Sequence, residues 1–218
     1  MKRSKPITLR SGLNAAALTV AVFLLLAVPS DGLAQAPASG LKKATFAGGC
    51  FWCMQPPYDE APGVVATRVG YTGGKTVNPA YEEVSAGGTG HAESIEVTYD
   101  PKKVSYRKLL NIFWHNVDPT TADREFCDVG RQYRTAIFFH GAEQEREANQ
   151  SRAELEKTKS FKAPIVTEIV PASTFYPAED YHQEYYKKNP IRYRFYRYNC
   201  GRDQRSLQRT LHFSILLV

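Results

Sequence analysis

The chain has 218 residues, 43% of them hydrophobic and 23% charged, with four cysteines. That reads as one soluble globular domain with a real core, and it excludes a small scaffold held together by disulfides. The net charge of +6 falls to +3 without residues 1–36, which carry four basic residues and one acid. So mild a balance gives little support to a nucleic-acid surface, although Arg192, Arg194 and Arg197 alternate with Tyr193, Tyr196 and Tyr198. A solvated basic segment that packs its tyrosines inward is the preferred reading there.

In chain order, a basic start (Lys2, Arg3, Lys5, Arg10) precedes an apolar run over residues 13–28 and a small-residue stretch over 30–40. This is the layout of a signal peptide over 1–36, with cleavage favoured after Ala34, or of an uncleaved N-terminal anchor. Either places the domain outside the cytoplasm, most simply in a bacterial periplasm. Residues 37–218 then form a single domain whose folded part begins near Leu41. Residues 41–47 read as a strand that runs into Gly48-Gly49, so Cys50 falls at a strand-to-helix corner. Residues 64–71 read as a strand and 72–74 as a turn, while 78–91 is a glycine-rich loop without a period. The alternation over 93–99 predicts a half-buried strand. Ser105 can cap a helix to about Val117 with Leu109, Leu110, Phe113 and Trp114 on its apolar side. A strand over 133–140, a polar helix over 142–160, a strand over 165–170 and an aromatic helix over 178–188, stopped by Asn189-Pro190, complete the series. Helices packed on a mostly antiparallel sheet follow, as an α/β or α+β sandwich between which periodicity does not choose.

Cys50 is the residue most suited to chemistry. Two glycines before it allow a sharp turn, and a helix starting after it would aim N–H groups at its sulfur and favour the thiolate. Cys53 completes a C-x-x-C. A c-type haem would need His where Met54 stands, and a zinc site would need ligands beyond the isolated Cys127 and Cys200. A redox pair remains. Thioredoxin-type motifs carry small or turn-forming residues between the cysteines, whereas Phe51 and Trp52 suit the wall of an apolar pocket. Glu93 lies where the glycine-rich loop enters a strand, and burial among apolar groups would hold its carboxyl neutral as a proton donor. Tyr81 and Tyr133 could donate to the same oxygen, and Asp128 could cap a turn or anchor the site. His91 and His182 carry no protease signature, and Cys127 reads as packing.

The stretches GGCFWC (48–53), GYTGG (70–74), NPAYEEVSAGGTGHAE (78–93), DVGRQYR (128–134), EDYHQEYYKKNP (179–190) and CGRD (200–203) together resemble the peptide methionine sulfoxide reductase A family. The resemblance runs from about Ala44 to Arg205, and the chain departs from it over the tail from 206 to 218. It implies a ferredoxin-like α+β sandwich with a mostly antiparallel sheet. It also implies thiol-dependent reduction of methionine S-sulfoxide, free or in proteins, with no metal or organic cofactor and with a thioredoxin-like protein as the dithiol donor. A repair enzyme of this kind would work as a monomer on oxidised proteins. Carried over by motif, Cys50 is the nucleophile, Phe51 and Trp52 hold the substrate methyl, and Glu93 serves the sulfoxide oxygen. Tyr81, Tyr133 and Asp128 join them, and Cys50 becomes a sulfenic acid. Either Cys200, favoured because relatives recycle through a C-terminal cysteine, or Cys53 then resolves it. A general disulfide oxidoreductase and a non-catalytic binder of methionine-bearing proteins are the rival functions.

Overall fold

The structure is a computed structural model, and it describes residues 40–204. The leader and the tail from 206 lie outside the described residues. The elements begin with β1 (Lys42–Gly48), α1 (Phe51–Asp59), β2 (Val64–Thr72), α2 (Tyr81–Ser85), β3 (Ala92–Tyr99) and α3 (Tyr106–Asn116). They continue with β4 (Arg124–Glu125), β5 (Asp128–Val129), β6 (Thr135–Phe139) and α4 (Ala142–Thr158). The last are β7 (Glu168–Pro171), β8 (Tyr176–Pro177), α5 (Tyr185–Lys188) and α6 (Pro190–Asn199).

Six strands form one sheet in the order β7-β6-β1-β3-β2-β8. Every pairing in it is antiparallel except β6 with β7. The result is the expected α+β class, with helices packed on a mostly antiparallel sheet. Phe46 of β1, Ile95 and Val97 of β3 and Ile137 of β6 bury one face against Met54 and Tyr58 of α1 and Leu109, Leu110 and Phe113 of α3. The alternation that predicted β3 is what aims Ile95 and Val97 at this core. Ser105 does cap α3, its hydroxyl accepting from the Lys108 N–H at 3.2 Å.

Three local expectations change. The glycine-rich stretch contains α2, a five-residue helix that is too short for a 3.6-residue period to show. Tyr133 lies not in a strand but in a 3-10 turn over Arg131–Tyr133, after the small β4–β5 hairpin. Residues 178–184 are not helical, so the expected helix shrinks to α5; Asn189 ends it as expected, and Pro190 is also the first residue of α6. A proline's missing N–H costs nothing at that position. Among the described residues no helix is long and apolar enough to cross a membrane.

Candidate active site

β1 ends at Gly48, Gly49 turns with φ +76°, and Cys50 is the residue that precedes α1. Gly49 has to be glycine for two reasons. Its φ is left-handed, and a Cβ there would sit 2.5 Å from the Cβ of Glu125. Arg202, only 1% exposed, locks the corner from beneath. Its Nη2 donates to the carbonyls of Gly48 at 2.7 Å and Asn116 at 2.8 Å, and its guanidinium lies over the Phe126 ring. The buried CGRD arginine therefore positions the corner that carries Cys50.

A cavity of about 90 Å³ opens at this corner. It is lined by Cys50, Phe51, Trp52, Tyr81, Glu93, Asp128, Tyr133 and Tyr196. Seven of these are the residues singled out from the sequence, drawn from α1, α2, β3, β5 and the 3-10 turn. The eighth, Tyr196, stands in the basic segment, where nothing in the local pattern separates it from Tyr193 and Tyr198. Its hydroxyl donates to both carboxyl oxygens of Asp128, at 2.8 and 2.6 Å. Burial and the neighbouring Cys50 and Asp128 push its phenol well up, so it remains a donor.

Glu93 is 2% exposed, and its Oε2 accepts from the Phe51 N–H at 3.1 Å. Burial pushes its carboxyl up to about 8, against that hydrogen bond. That shift favours the protonated acid at neutral pH. Tyr81 is pushed up to about 12, and Tyr133 is raised as well, chiefly by burial and the nearby Glu93. Both phenols stay protonated and can donate. Asp128 is raised by burial, while Tyr196, Arg202 and the Cys50 N–H work against that shift.

The cysteines depart from expectation. Cys50 is buried at 6% exposure, and burial, then its hydrogen bond with Cys53, pushes its thiol well above the ordinary range. The first N–H of α1 is spent on Glu93, so the helix start does not by itself make Cys50 a thiolate. Cys53 is lowered to about 7 by its hydrogen bond with Cys50 and, less strongly, by Arg202 and Arg197. Cys127, read as packing, is instead bonded to Cys200, which leaves Cys50 and Cys53 as free thiols. Cys127, Asp128 and Cys200 are the one metal-ligand grouping among the described residues, and the bond between the two sulfurs takes both out as ligands.

The histidines hold other groups in place. His91 Nδ1 accepts from the Gly74 N–H at 3.1 Å, so its Nε2 donates to the Thr76 carbonyl at 2.7 Å. His182 Nδ1 accepts from the Trp52 indole at 3.0 Å, and the indole stacks on Tyr185 with 3.7 Å between ring centres. The two aromatic walls are thereby fixed: Trp52 from behind, and Phe51 against Tyr71 and His182.

A profile described as peptide methionine sulfoxide reductase matches residues 42–212. The chain belongs to that family. Its members are oxidoreductases that act on sulfur. Among similar proteins, peptide methionine sulfoxide reductase MsrA of Bacillus licheniformis is 51% identical over 160 residues, covering 73% of this chain and 88% of that protein. The MsrA of Listeria innocua is 52% identical over 162 residues, covering 74% and 92%. The crystal structure of reduced Mxr1 from Saccharomyces cerevisiae superposes with a TM-score of 0.66 at 34% identity, over 71% of this chain and 88% of that one. Methionine sulfoxide reductase A of Corynebacterium diphtheriae gives 0.64 at 36% identity, over 71% and 78%.

Proposed function

We propose that this chain reduces methionine S-sulfoxide, free or in proteins, and that Cys53 resolves the oxidised Cys50. The observation that carries the reading is the neutral, buried Glu93 in one small cavity with Cys50, Phe51 and Trp52. A sulfoxide oxygen leaves sulfur only once it is protonated or strongly hydrogen-bonded, and a neutral acid in a dry pocket meets that need. The apolar rings take the terminal methyl.

The cysteine pair supplies the nucleophile. Near neutral pH one proton lies between the two sulfurs, and Arg202 and Arg197 favour the charge on the Cys53 side. Passing that proton from Cys50 to Cys53 creates the thiolate where the substrate sits. Its lone pair attacks the sulfoxide sulfur while Glu93 protonates the oxygen, helped by Tyr81 and Tyr133. In the adduct the hydroxyl passes from the substrate sulfur to Cys50 Sγ as the new sulfur–sulfur bond breaks with its electron pair going to the substrate sulfur, so that methionine leaves and Cys50 is a sulfenic acid. Substrate sulfur has gained two electrons and Cys50 has lost two. Cys53 then attacks the Cys50 sulfur and expels the oxygen as water, which forms the Cys50–Cys53 disulfide.

Cys53 suits this step because it lies one helical turn from Cys50, its N–H donating to the Cys50 carbonyl at 3.0 Å, whereas Cys200 is held by Cys127. An external dithiol, such as a thioredoxin-like protein, reopens the bond by exchange. Asp128 accepts from the Cys50 N–H and from Tyr196, and so holds the nucleophile's backbone. Export to a periplasm fits the basic start and apolar run of the leader.

The test is to incubate the protein with dithiothreitol and each epimer of methionine sulfoxide. Only the S epimer is consumed, and Cys50→Ser abolishes the activity. Turnover of both epimers, or activity surviving that change, overturns the reading. After one turnover without reductant, Cys53→Ser carries a sulfenic acid that a dimedone label traps, while the parent protein carries a disulfide. Mass spectrometry reads the two directly.

A further inference from the structure

We infer that the groove beside the catalytic cavity, floored by residues 87–90 and walled by His91 and Gln132, binds the extended main chain of a polypeptide that carries the oxidised methionine. The inference rests on the proposed reduction of methionine sulfoxide. It adds where the rest of the substrate lies and which residue reads it.

The catalytic cavity is small. Its volume of about 90 Å³ takes the end of one side chain and leaves the peptide outside. A second hollow of about 340 Å³ is lined by residues 87–91, Arg131 and Gln132. The two linings are neighbours along the chain: Gln132 lines the groove and Tyr133 the cavity, while His91 lines the groove and Glu93 the cavity. A peptide whose sulfoxide reaches Cys50 therefore has this hollow along one of its sides.

The walls fit a main chain rather than a charged group. Arg131 lines the groove, but its guanidinium is paired with Asp123 and Glu168, both at 3.2 Å. What the groove offers instead is uncharged hydrogen-bonding capacity. Gln132 is buried, and its Nε2 donates to the Ser85 carbonyl at 2.9 Å. That bond fixes the amide, and its Oε1 accepts no hydrogen bond among the described residues. A peptide N–H is the natural donor for it. The loop has peptide groups to spare as well: the N–H groups of Gly88, Thr89 and Gly90 find no acceptor among the described residues.

The floor is cleared of side chains. Gly88 has φ +90°, and a Cβ built there meets nothing within 4 Å. At Gly87 the only neighbour is Gln132 Oε1 at 3.8 Å. Both positions have left-handed φ, +81° at Gly87 and +90° at Gly88, which itself calls for glycine. The bare floor that results leaves room for another backbone to approach closely.

The experiment compares free methionine S-sulfoxide with a nonapeptide carrying the S-sulfoxide at its centre. Gln132→Met keeps the bulk and removes the acceptor. It lowers kcat/KM for the peptide about tenfold, the loss of one hydrogen bond, and changes the free amino acid less than about twofold. Gln132→Glu restores an acceptor and recovers the peptide rate to within about threefold. Methylating each peptide nitrogen beside the sulfoxide in turn finds one position whose methylation costs the parent enzyme about as much as Gln132→Met does, and costs that variant nothing further. An equal fall on both substrates overturns the inference, because Gln132 would then act only by supporting α2 and Tyr81. No fall on either substrate overturns it too. If the parent protein turns over neither substrate, the proposed function fails, an outcome distinct from a groove that makes no contact.

Discussion

In the proposed reaction Glu93 is the residue whose charge decides the chemistry. Its carboxyl is held up at about 8 by burial. It donates only while protonated, so kcat/KM for the S-sulfoxide falls as pH rises through about 8, tending to tenfold per unit. Glu93→Gln removes that limb of the pH profile and lowers the rate about 10²–10³-fold, read by steady-state kinetics across pH. The same group links pH to stability. Its folded pKa exceeds the ordinary value near 4.5, so folding takes up a proton between the two and stability falls as pH rises through that window. Glu93→Gln should thus be more stable than the parent at pH 9, on the order of a few kcal/mol, and nearly equal to it at pH 4. At this scale the sequence was legible where chemistry sits in unusual local surroundings: a cysteine after two glycines, or a glutamate at the mouth of a glycine-rich loop. Tyr196, His182 and Arg202 were not legible in that way. Each acts through a partner far along the chain: Asp128, Trp52 and the Gly48 carbonyl.

Elements with a long period announced themselves, and short ones did not. β3 and α3 carry enough residues to show alternation or a helical face. The five residues of α2 and the two-residue strands β4 and β5 do not, yet they present Tyr81 and Asp128 to the cavity. The hairpin is stabilised from outside. The Cys127–Cys200 bond ties it to the end of α6 across 73 residues, beside the contact of Tyr196 with Asp128. Cys127→Ser is expected to cost about 2–4 kcal/mol in urea denaturation without reductant, because the unfolded chain regains the freedom that the crosslink removes. Dithiothreitol lowers the parent's stability by a similar amount and leaves the variant unchanged. Such a bond was invisible beforehand, since pairing depends on where the fold brings α6 and not on spacing.

For the whole molecule, the mixed order of strands and helices was enough to give packed helices on a mostly antiparallel sheet. The position of β8 at the edge, beside β2, was not legible, because two residues hold no pattern. Nor was the return of the C-terminal segment under β1. Arg202 makes that return obligatory: it is buried and supplies two carbonyls with donors. Arg202→Leu leaves those oxygens in a dry site and costs about 3–5 kcal/mol, measured by denaturation. Turnover falls with it, because Gly48 and Gly49 set the angle of Cys50.

That same contact spans 154 residues of sequence. A chain made from its N-terminus exposes Cys50 long before Arg202 exists. At about 5–20 residues per second, the interval is roughly 8–30 s. Throughout synthesis the reactive sulfur lacks its finished seat, and enzymatic competence arrives as a late event in the birth of the protein.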